Sequence, residues 1–358
     1  MNHSRIILHL ILLVSFVLPF TVSDHVAADA INEVEEIIPG GHSIGVKLHT
    51  SGVVVVGFSP IQTDDGKISP AEETGIEIGD IILQVNQQKI EDMQTFTHLI
   101  QKYKDDDTPI ELLVKRQEHI FPVTITPVSD EDDEYRLGLF IRDATAGIGT
   151  MTFYDPKSKR YGALGHVITD HQTKRPIDIY NGKIVPSNIT SINKGESGSP
   201  GEKRARFSME DKSLGTIQKN SDYGIFGKLE DEGPFLEDHV DPLPVAQAHE
   251  VKEGEAKILT VVEDNKIEEF EVEIVSSVPS KHPETKGMVV QITDPDLLDA
   301  TGGIVQGMSG SPIIQDDKIV GAVTHVFLND PTSGYGVHIE WMLNEAGLEI
   351  KDEQKEAS

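Results

Sequence analysis

Cysteine is absent from the sequence. Disulfides, thiolate catalysis and cysteine-type zinc sites are excluded with it, and any covalent nucleophile must be Ser, Thr, Lys or a carboxylate. Export is not excluded by that absence. Basic residues are scarce: 31 Lys and Arg stand against 60 Asp and Glu, a formal charge of −29 over 358 residues. That balance argues against a phosphate-backbone partner, which needs clustered cations. It fits a solvated acidic surface, or attraction of a basic substrate. Aromatic residues are 6% of the chain, and no repeat at solenoid spacing is present. What is plentiful is Gly (31) and Pro (19), the punctuation of short strands and turns. The length suffices for two domains.

Arg5 precedes an apolar run from Ile6 to Phe20, and Val26-Ala27-Ala28 supplies small residues for cleavage. Residues 1–28 therefore read as a signal peptide or a retained membrane anchor. Either places the rest of the chain outside the cytoplasm. Residues 29–37 read as a linker. The acidic run 129–135 reads as a second linker, because it cannot bury itself cheaply. Residues from Lys351 onward read as frayed.

Between residues 36 and 128 strands mix with helices. Ile44–Leu48, Val53–Phe58, Ile81–Asn86, Ile110–Arg116 and Ile120–Pro127 read as strands, Pro70–Thr74 as a short helix. Met93–Tyr103 has helical spacing, with Met93, Phe96, Leu99 and Ile100 on one face. Residues 136–350 hold short β-type runs, among them Leu137–Arg142, Gly147–Tyr154, Met288–Ile292 and Ile319–Val326, with one helix at Glu340–Ala346. The fold class is mainly β: an α+β domain, then a barrel or sandwich.

The run Ser69-Pro70-Ala71, then Gly75, Gly79-Asp80-Ile81-Ile82 and Val85-Asn86 resembles the PDZ family in that order, over about 90 residues. A turn of backbone N–H groups before a strand can cradle a carboxylate, and an open strand edge can accept a peptide. The resemblance makes Ser43, Ile44, Gly45 and Val46 the peptide-binding loop, with the helix Met93–Tyr103 as the opposite wall. On this reading Gly45→Trp would crowd the carboxylate nest.

Gly307-Met308-Ser309-Gly310-Ser311-Pro312 has the glycines that let a serine sit on a tight turn with its Oγ exposed. It resembles the nucleophile turn of chymotrypsin-like proteases, which implies Ser309 as nucleophile and the N–H groups of Gly307 and Ser309 as oxyanion hole. A histidine must take the serine proton and a carboxylate must hold its tautomer. His166, in Ala163-Leu164-Gly165-His166, lies 143 residues upstream. Gly195-Glu196-Ser197-Gly198-Ser199-Pro200 is a rival turn, but it lies only 31 residues after His166 and runs into charged Gly201-Glu202-Lys203-Arg204. Ser311 is a further rival. Asp294 is the candidate acid, with Asp296, Asp299, Asp178 and Asp170 open as alternatives and a helix cap or turn as the structural explanation for any of them. His325 is read as a packed strand residue. No metal-ligand spacing occurs, so neither metal nor cofactor is expected.

Together these segments, with Gly303-Ile304-Val305-Gln306 and Gly321-Ala322-Val323-Thr324-His325, resemble the stage IV sporulation protein B (SpoIVB) peptidase family over nearly all of the chain after residue 35. The resemblance implies a chymotrypsin-like double β-barrel serine protease domain behind a PDZ domain, and a His166, Asp294, Ser309 triad. It also implies an exported signalling protease acting in the space between forespore and mother cell. Its partners would be protein substrates, including itself and a membrane-bound regulator of an intramembrane protease. The alternative is a PDZ-based binding protein on a degenerate protease fold.

Overall fold

The computed structural model describes residues 32–63, 66–103, 108–207, 212–231 and 241–351. Residues 1–28, read above as a signal peptide or anchor, lie outside the described residues. Among the described residues no helix is long and apolar enough to cross a membrane.

Two strands of 16 residues each organise the chain: Ser43–Phe58 and Leu139–Tyr154. They pair antiparallel along most of their length, with register shifts at Phe140/Ile141 and Arg142/Ala144. One end of this ribbon belongs to a β-barrel. Ser43–Phe58, Leu139–Tyr154, Arg160–Ala163, Gly224–Leu229, Gly215–Ser221 and Ile179–Pro186 pair in that cyclic order, six strands that close on themselves. Ile44, Val46, Leu48, Met151, Tyr161, Ala163, Ile184 and Ile225 fill its interior. A second closed barrel has Gly254–Val261, Ile267–Ser277, Met288–Ile292, Asp330–His338, Lys318–Phe327 and Pro312–Gln315 in cyclic order. Alternation of apolar and charged residues builds it: Ile267–Ser277 reads Ile-Glu-Glu-Phe-Glu-Val-Glu-Ile, with Phe270, Val272 and Ile274 buried and the glutamates outward.

The other end of the ribbon belongs to the α+β module. Val53 and Val54 pair with Ile82 and Ile81, and Ile81–Val85 continues into Ile110–Arg116 and His119–Ile125. The helix Met93–Lys102 closes the core with Phe96, Leu99 and Ile100. Asp92 starts that helix by accepting from the Thr95 N–H at 2.6 Å, a cap of about 1 kcal/mol. Asp80 of the Gly-Asp motif is fully buried, and Arg116 holds it through two 2.7 Å hydrogen bonds.

The module thus interrupts the first barrel instead of preceding it, and the boundaries 36–128 and 136–350 do not separate two cores. Ile44–Leu48 and Val53–Phe58 are one strand shared by both. Where described, the two expected linkers are structured as well. Asn32–Val34 pairs with Leu348–Ile350, and Glu36–Pro39 joins the first barrel's sheet. Residues 129–135 form a hairpin whose Asp130 carboxylate takes the N–H groups of Asp132 and Glu134 and pairs with Arg136. The acidic run is paid for by its own turn geometry.

Candidate active site

The serine turn sits at the seam between the barrels. Gly307 and Gly310 both have φ +96°, a conformation L side chains rarely adopt. The first barrel's long strand staples the turn from one side. Thr150 N–H donates to the Ser309 carbonyl (2.9 Å), Thr150 Oγ1 to the Gly307 carbonyl (2.8 Å), and Thr152 Oγ1 to the Gly310 carbonyl (2.8 Å). The second barrel holds the other side, where Gly310 N–H donates to Val323 carbonyl at 2.8 Å. Met308 and Ser311 N–H groups bond within the turn, to Val305 and Met308 carbonyls. Among the described residues the Gly307 and Ser309 N–H groups have no acceptor, as a site for a developing oxyanion requires.

His166 arrives from the first barrel. At the end of Arg160–Ala163 the chain turns through two left-handed residues, Leu164 and Gly165, each at φ +71°. Left-handed Leu costs on the order of 1 kcal/mol and is held here by packing. Its Cδ2 fills the space that a Cβ on Gly149 would take, and its N–H donates to the Thr150 carbonyl. His166 then lies against His325, ring centroids 4.9 Å apart, and His325 follows Thr324, whose carbonyl accepts the Ser309 hydroxyl at 2.7 Å. His166 and Ser309 therefore meet at one seam. His166 Nδ1 is 2.9 Å from its neighbour's carbonyl, Val167. A carbonyl accepts only, so Nδ1 carries the proton and Nε2 keeps its lone pair, the tautomer a general base needs. Burial holds the His166 pKa below the ordinary histidine value. His325 retains an exposed edge, yet desolvation of its inner side, then repulsion from His166 and Lys286, pushes it to about 4. Asn220 fixes the segment after His166, accepting from Ile168 N–H and donating to the carbonyls of Ile168 and Ile177.

Asp294 is not brought to His166. It is the N-cap of the helix Pro295–Thr301: Oδ1 takes the N–H groups of Asp296 and Leu297 at 3.0 Å, and Oδ2 takes that of Glu271 at 3.3 Å. Of the alternatives, Asp170 pairs with Arg142, Asp178 with Lys115 and Asp299 lies beside Lys194, while Asp296 sits in the first turn of the helix that Asp294 caps. Val167 carbonyl, not a carboxylate, sets the imidazole. Asp294→Asn, which preserves the cap, is expected to keep the hydrolysis rate within about threefold and the acid limb of its pH profile below 6.5. Asp294→Ala is expected to lose about 1 kcal/mol of stability. A rate loss near 10⁴-fold in the Asn variant, as for a triad acid, would overturn the cap assignment.

The rival turn is built differently. Ser197 Oγ donates to the Asn329 carbonyl at 3.0 Å on an exposed loop, and a Cβ on Gly198 would meet nothing within 4 Å. Ser311 is fully buried and donates to Thr260 Oγ1. Among the described residues no three His, Asp or Glu side chains converge as a metal site.

Ser43, Ile44, Gly45 and Val46 do not form a peptide-binding loop. They lie in the first barrel with both edges paired, to Gly147–Thr150 on one side and Ile184–Pro186 on the other. Ser43 Oγ lies 3.1 Å from Ser187 Oγ, and a Cβ on Gly45 would meet Val185 and Phe207 within 3 Å. Gly45→Trp would disrupt barrel packing, so it reports nothing about a nest. The open edge lies elsewhere: among the described residues Leu139–Arg142 pairs only with Val54–Phe58, and its other side faces the helix Met93–Lys102 across a cleft of about 340 Å³. Arg136, Leu137 and Gly138 (φ +77°) lead into that edge. Sequence order hid it, because the edge follows the module instead of opening it.

The sequence profile of the PDZ domain matches residues 66–116. No curated protein matches the chain. Among solved structures, the chain is similar to the active form of the Rv3671c protease from M. tuberculosis, at 16% identity over 57% of this chain and 75% of that one, TM-score 0.33. The inactive form gives 17%, 56%, 84% and 0.31. The PDZ domain of the SdrC-like protein from Listeria monocytogenes gives 18% identity over 25% of this chain and 87% of that one, TM-score 0.21. The profile of SpoIVB peptidase S55 matches residues 133–343, well over half of a chain whose serine turn and histidine share one seam between two barrels, and the protein belongs to that family of serine peptidases.

Proposed function

We propose that this peptidase is an exported sporulation signalling protease that cuts itself and a membrane-associated regulatory protein, so activating an intramembrane protease. The site of action is the space between forespore and mother cell. The observation that carries the chemistry is the serine turn, with two free N–H groups beside Ser309 and a correctly protonated His166 at the same seam. Family membership and the apolar run after Arg5 support the setting.

Ser309 is the nucleophile. Its hydroxyl rests on Thr324 carbonyl and must rotate toward His166 before transfer. His166 Nε2 then takes the proton as Oγ attacks the scissile carbonyl, and the N–H groups of Gly307 and Ser309 receive the oxyanion. Collapse returns the proton from His166 to the leaving amine, and water repeats the sequence on the acyl-enzyme. The bond to Thr324 gives the enzyme a resting state that substrate must displace. The test is intact mass of the chain from about residue 29 onward, wild type beside Ser309→Ala, His166→Ala and Ser197→Ala. Clipping of wild type and Ser197→Ala alone supports the reading. Clipping lost only in Ser197→Ala would sink it.

The PDZ ligand takes the cleft between Leu139–Arg142 and the helix Met93–Lys102, by strand addition to the open edge. Its occupancy reaches the active site by a short route. The segment after His166 is tied to the module through Lys115–Asp178, and through Asp170, which bonds Arg142 of the shared strand. Met93 lines the cleft and is 42% exposed, so it is replaceable without loss of core. Met93→Glu is expected to weaken peptide binding about tenfold or more and to change the timing of cleavage. Unchanged binding in a titration with a fluorescent C-terminal peptide would move the groove elsewhere.

A further inference from the structure

Lys203 is a lysine where the fold has no evident use for one. It sits on the strand Glu202–Arg206, directly after the rival serine turn, and is only 3% exposed. Its stem packs behind the nucleophile turn: a Cβ on Gly307 would lie 3.1 Å from the Lys203 Cβ and 3.3 Å from its Cδ. Its backbone is bound to the same turn, Lys203 N–H donating to Gln306 carbonyl and Gln306 N–H to Gly201 carbonyl, each at 2.8 Å. The amine then reaches into the second barrel. Nζ lies 2.7 Å from Thr260 Oγ1, and Thr260 Oγ1 lies 3.0 Å from Ser311 Oγ. Thr260 and Ser311 are both fully buried. Ser311 closes the turn that Gly307 opens.

From Lys203 we infer a positioning device for the peptidase: through Thr260 and Ser311 its amine holds the turn that carries Ser309 and the two oxyanion N–H groups, and holds it best when the amine is neutral. The inference rests on the reading of Ser309 as nucleophile. Hydroxyl arithmetic gives the direction. With a neutral amine, Ser311 O–H donates to Thr260 Oγ1, Thr260 O–H donates to the Nζ lone pair, and both hydroxyl protons have acceptors. With an ammonium, Nζ can only donate to Thr260, and whether Thr260 then also accepts from Ser311 or donates to it, one of the two hydroxyl protons has no acceptor within the trio. A buried ammonium is costly besides, since no carboxylate faces it among the described residues. Asn188–Asn193, packed on one side, has no ionisable residue, and neither do residues 306–311. On Gly254–Val261 the charged residues are Glu255 and Lys257, both exposed, with Lys257 paired to Glu269. On its own strand Glu202 pairs with exposed Arg204. Burial alone pushes the Lys203 pKa down to about 7.

The test reads the rate at which a fluorophosphonate probe labels Ser309, from about pH 5.5 to about pH 9, in the full chain. Two inflections are expected in wild type, one below 6.5 from His166 and one near neutrality. Lys203→Met keeps the stem and removes the amine. It is expected to lower the maximal labelling rate at least about tenfold, through a turn displaced by a fraction of an ångström, and to abolish the upper inflection. Ser311→Ala keeps the lysine, removes only one oxygen and is expected to do the same, which guards against a folding failure in Lys203→Met. Persistence of the upper inflection in either folded variant, or a rate within about twofold of wild type, overturns the device. Wild type that labels no faster than Ser309→Ala overturns the nucleophile reading itself, and this proposal with it.

Discussion

Ser309→Ala is expected to lower peptide hydrolysis by about 10⁴-fold or more, with thermal stability essentially unchanged. The hydroxyl donates to the Thr324 carbonyl, so its loss removes one modest hydrogen bond of about 1 kcal/mol at a half-buried position. Catalysis loses far more, because the only chemistry left is water attack assisted by the two turn N–H groups. His166→Ala is expected to cost a similar factor, and the double variant little more than either alone, since base and nucleophile act as a unit. Ser197→Ala should be silent in the same assay. Its hydroxyl holds the Asn329 carbonyl on an exposed loop, a contact that shapes a neighbouring turn but touches no imidazole. Rates with a peptide substrate and fluorophosphonate labelling together decide the matter. A Ser309→Ala protein with more than about 1% of wild-type activity would require another nucleophile.

Much of this was legible in the residues, and the failures share a cause. Glycine spacing around Ser309 and the short strands on either side marked a tight serine turn, because positive φ and backbone approach are local demands. Met93, Phe96, Leu99 and Ile100 marked the module's helix for the same reason. What sequence could not give was which strand edges remain open. Ser43–Val46 looks like a loop before a strand, yet the strand runs on for 16 residues and both its edges are taken by segments 100 or more residues away. The family resemblance points to Asp294 as the acid, while the proline after it equally signals a helix start, and in the structure the residue is the cap. Lys203 was hidden in a charged run that reads as solvated. Only the alternation of a strand, Lys203 inward and Glu202 and Arg204 outward, separates it from its neighbours, and that alternation depends on a hairpin partner residues away. The staples Thr150 and Thr152 carry no signature at all, since each acts on a turn 157 or 158 residues distant.

Gly310→Ala should be nearly as damaging to activity as removal of the nucleophile's neighbours allows, and for a steric reason. A Cβ there would lie 2.0 Å from the Thr150 carbonyl oxygen and 2.5 Å from the Leu164 nitrogen. Both are backbone atoms, one on the strand that staples the serine turn and one in the turn that leads to His166, so no rotamer change relieves the clash. The φ of +96° adds a penalty on the order of 1–3 kcal/mol. The turn must move as a body, and it carries the Ser309 carbonyl, held by Thr150, and the Gly310 carbonyl, held by Thr152. A displacement near 1 Å at the nucleophile costs about 10²-fold in rate. Stability is expected to fall by more than about 3 kcal/mol, read as a drop in urea midpoint at unchanged slope. Gly198→Ala supplies the contrast within the same molecule. It has φ +83° on the look-alike turn, but a Cβ would meet nothing within 4 Å. It should therefore lose only the left-handed penalty of about 1–2 kcal/mol, with labelling of Ser309 unaffected. If Gly310→Ala matched Gly198→Ala in urea midpoint and kept the wild-type labelling rate, the seam between the barrels would be far looser than its contacts imply, and His166 and Ser309 would not be held in register by the strands that bring them together.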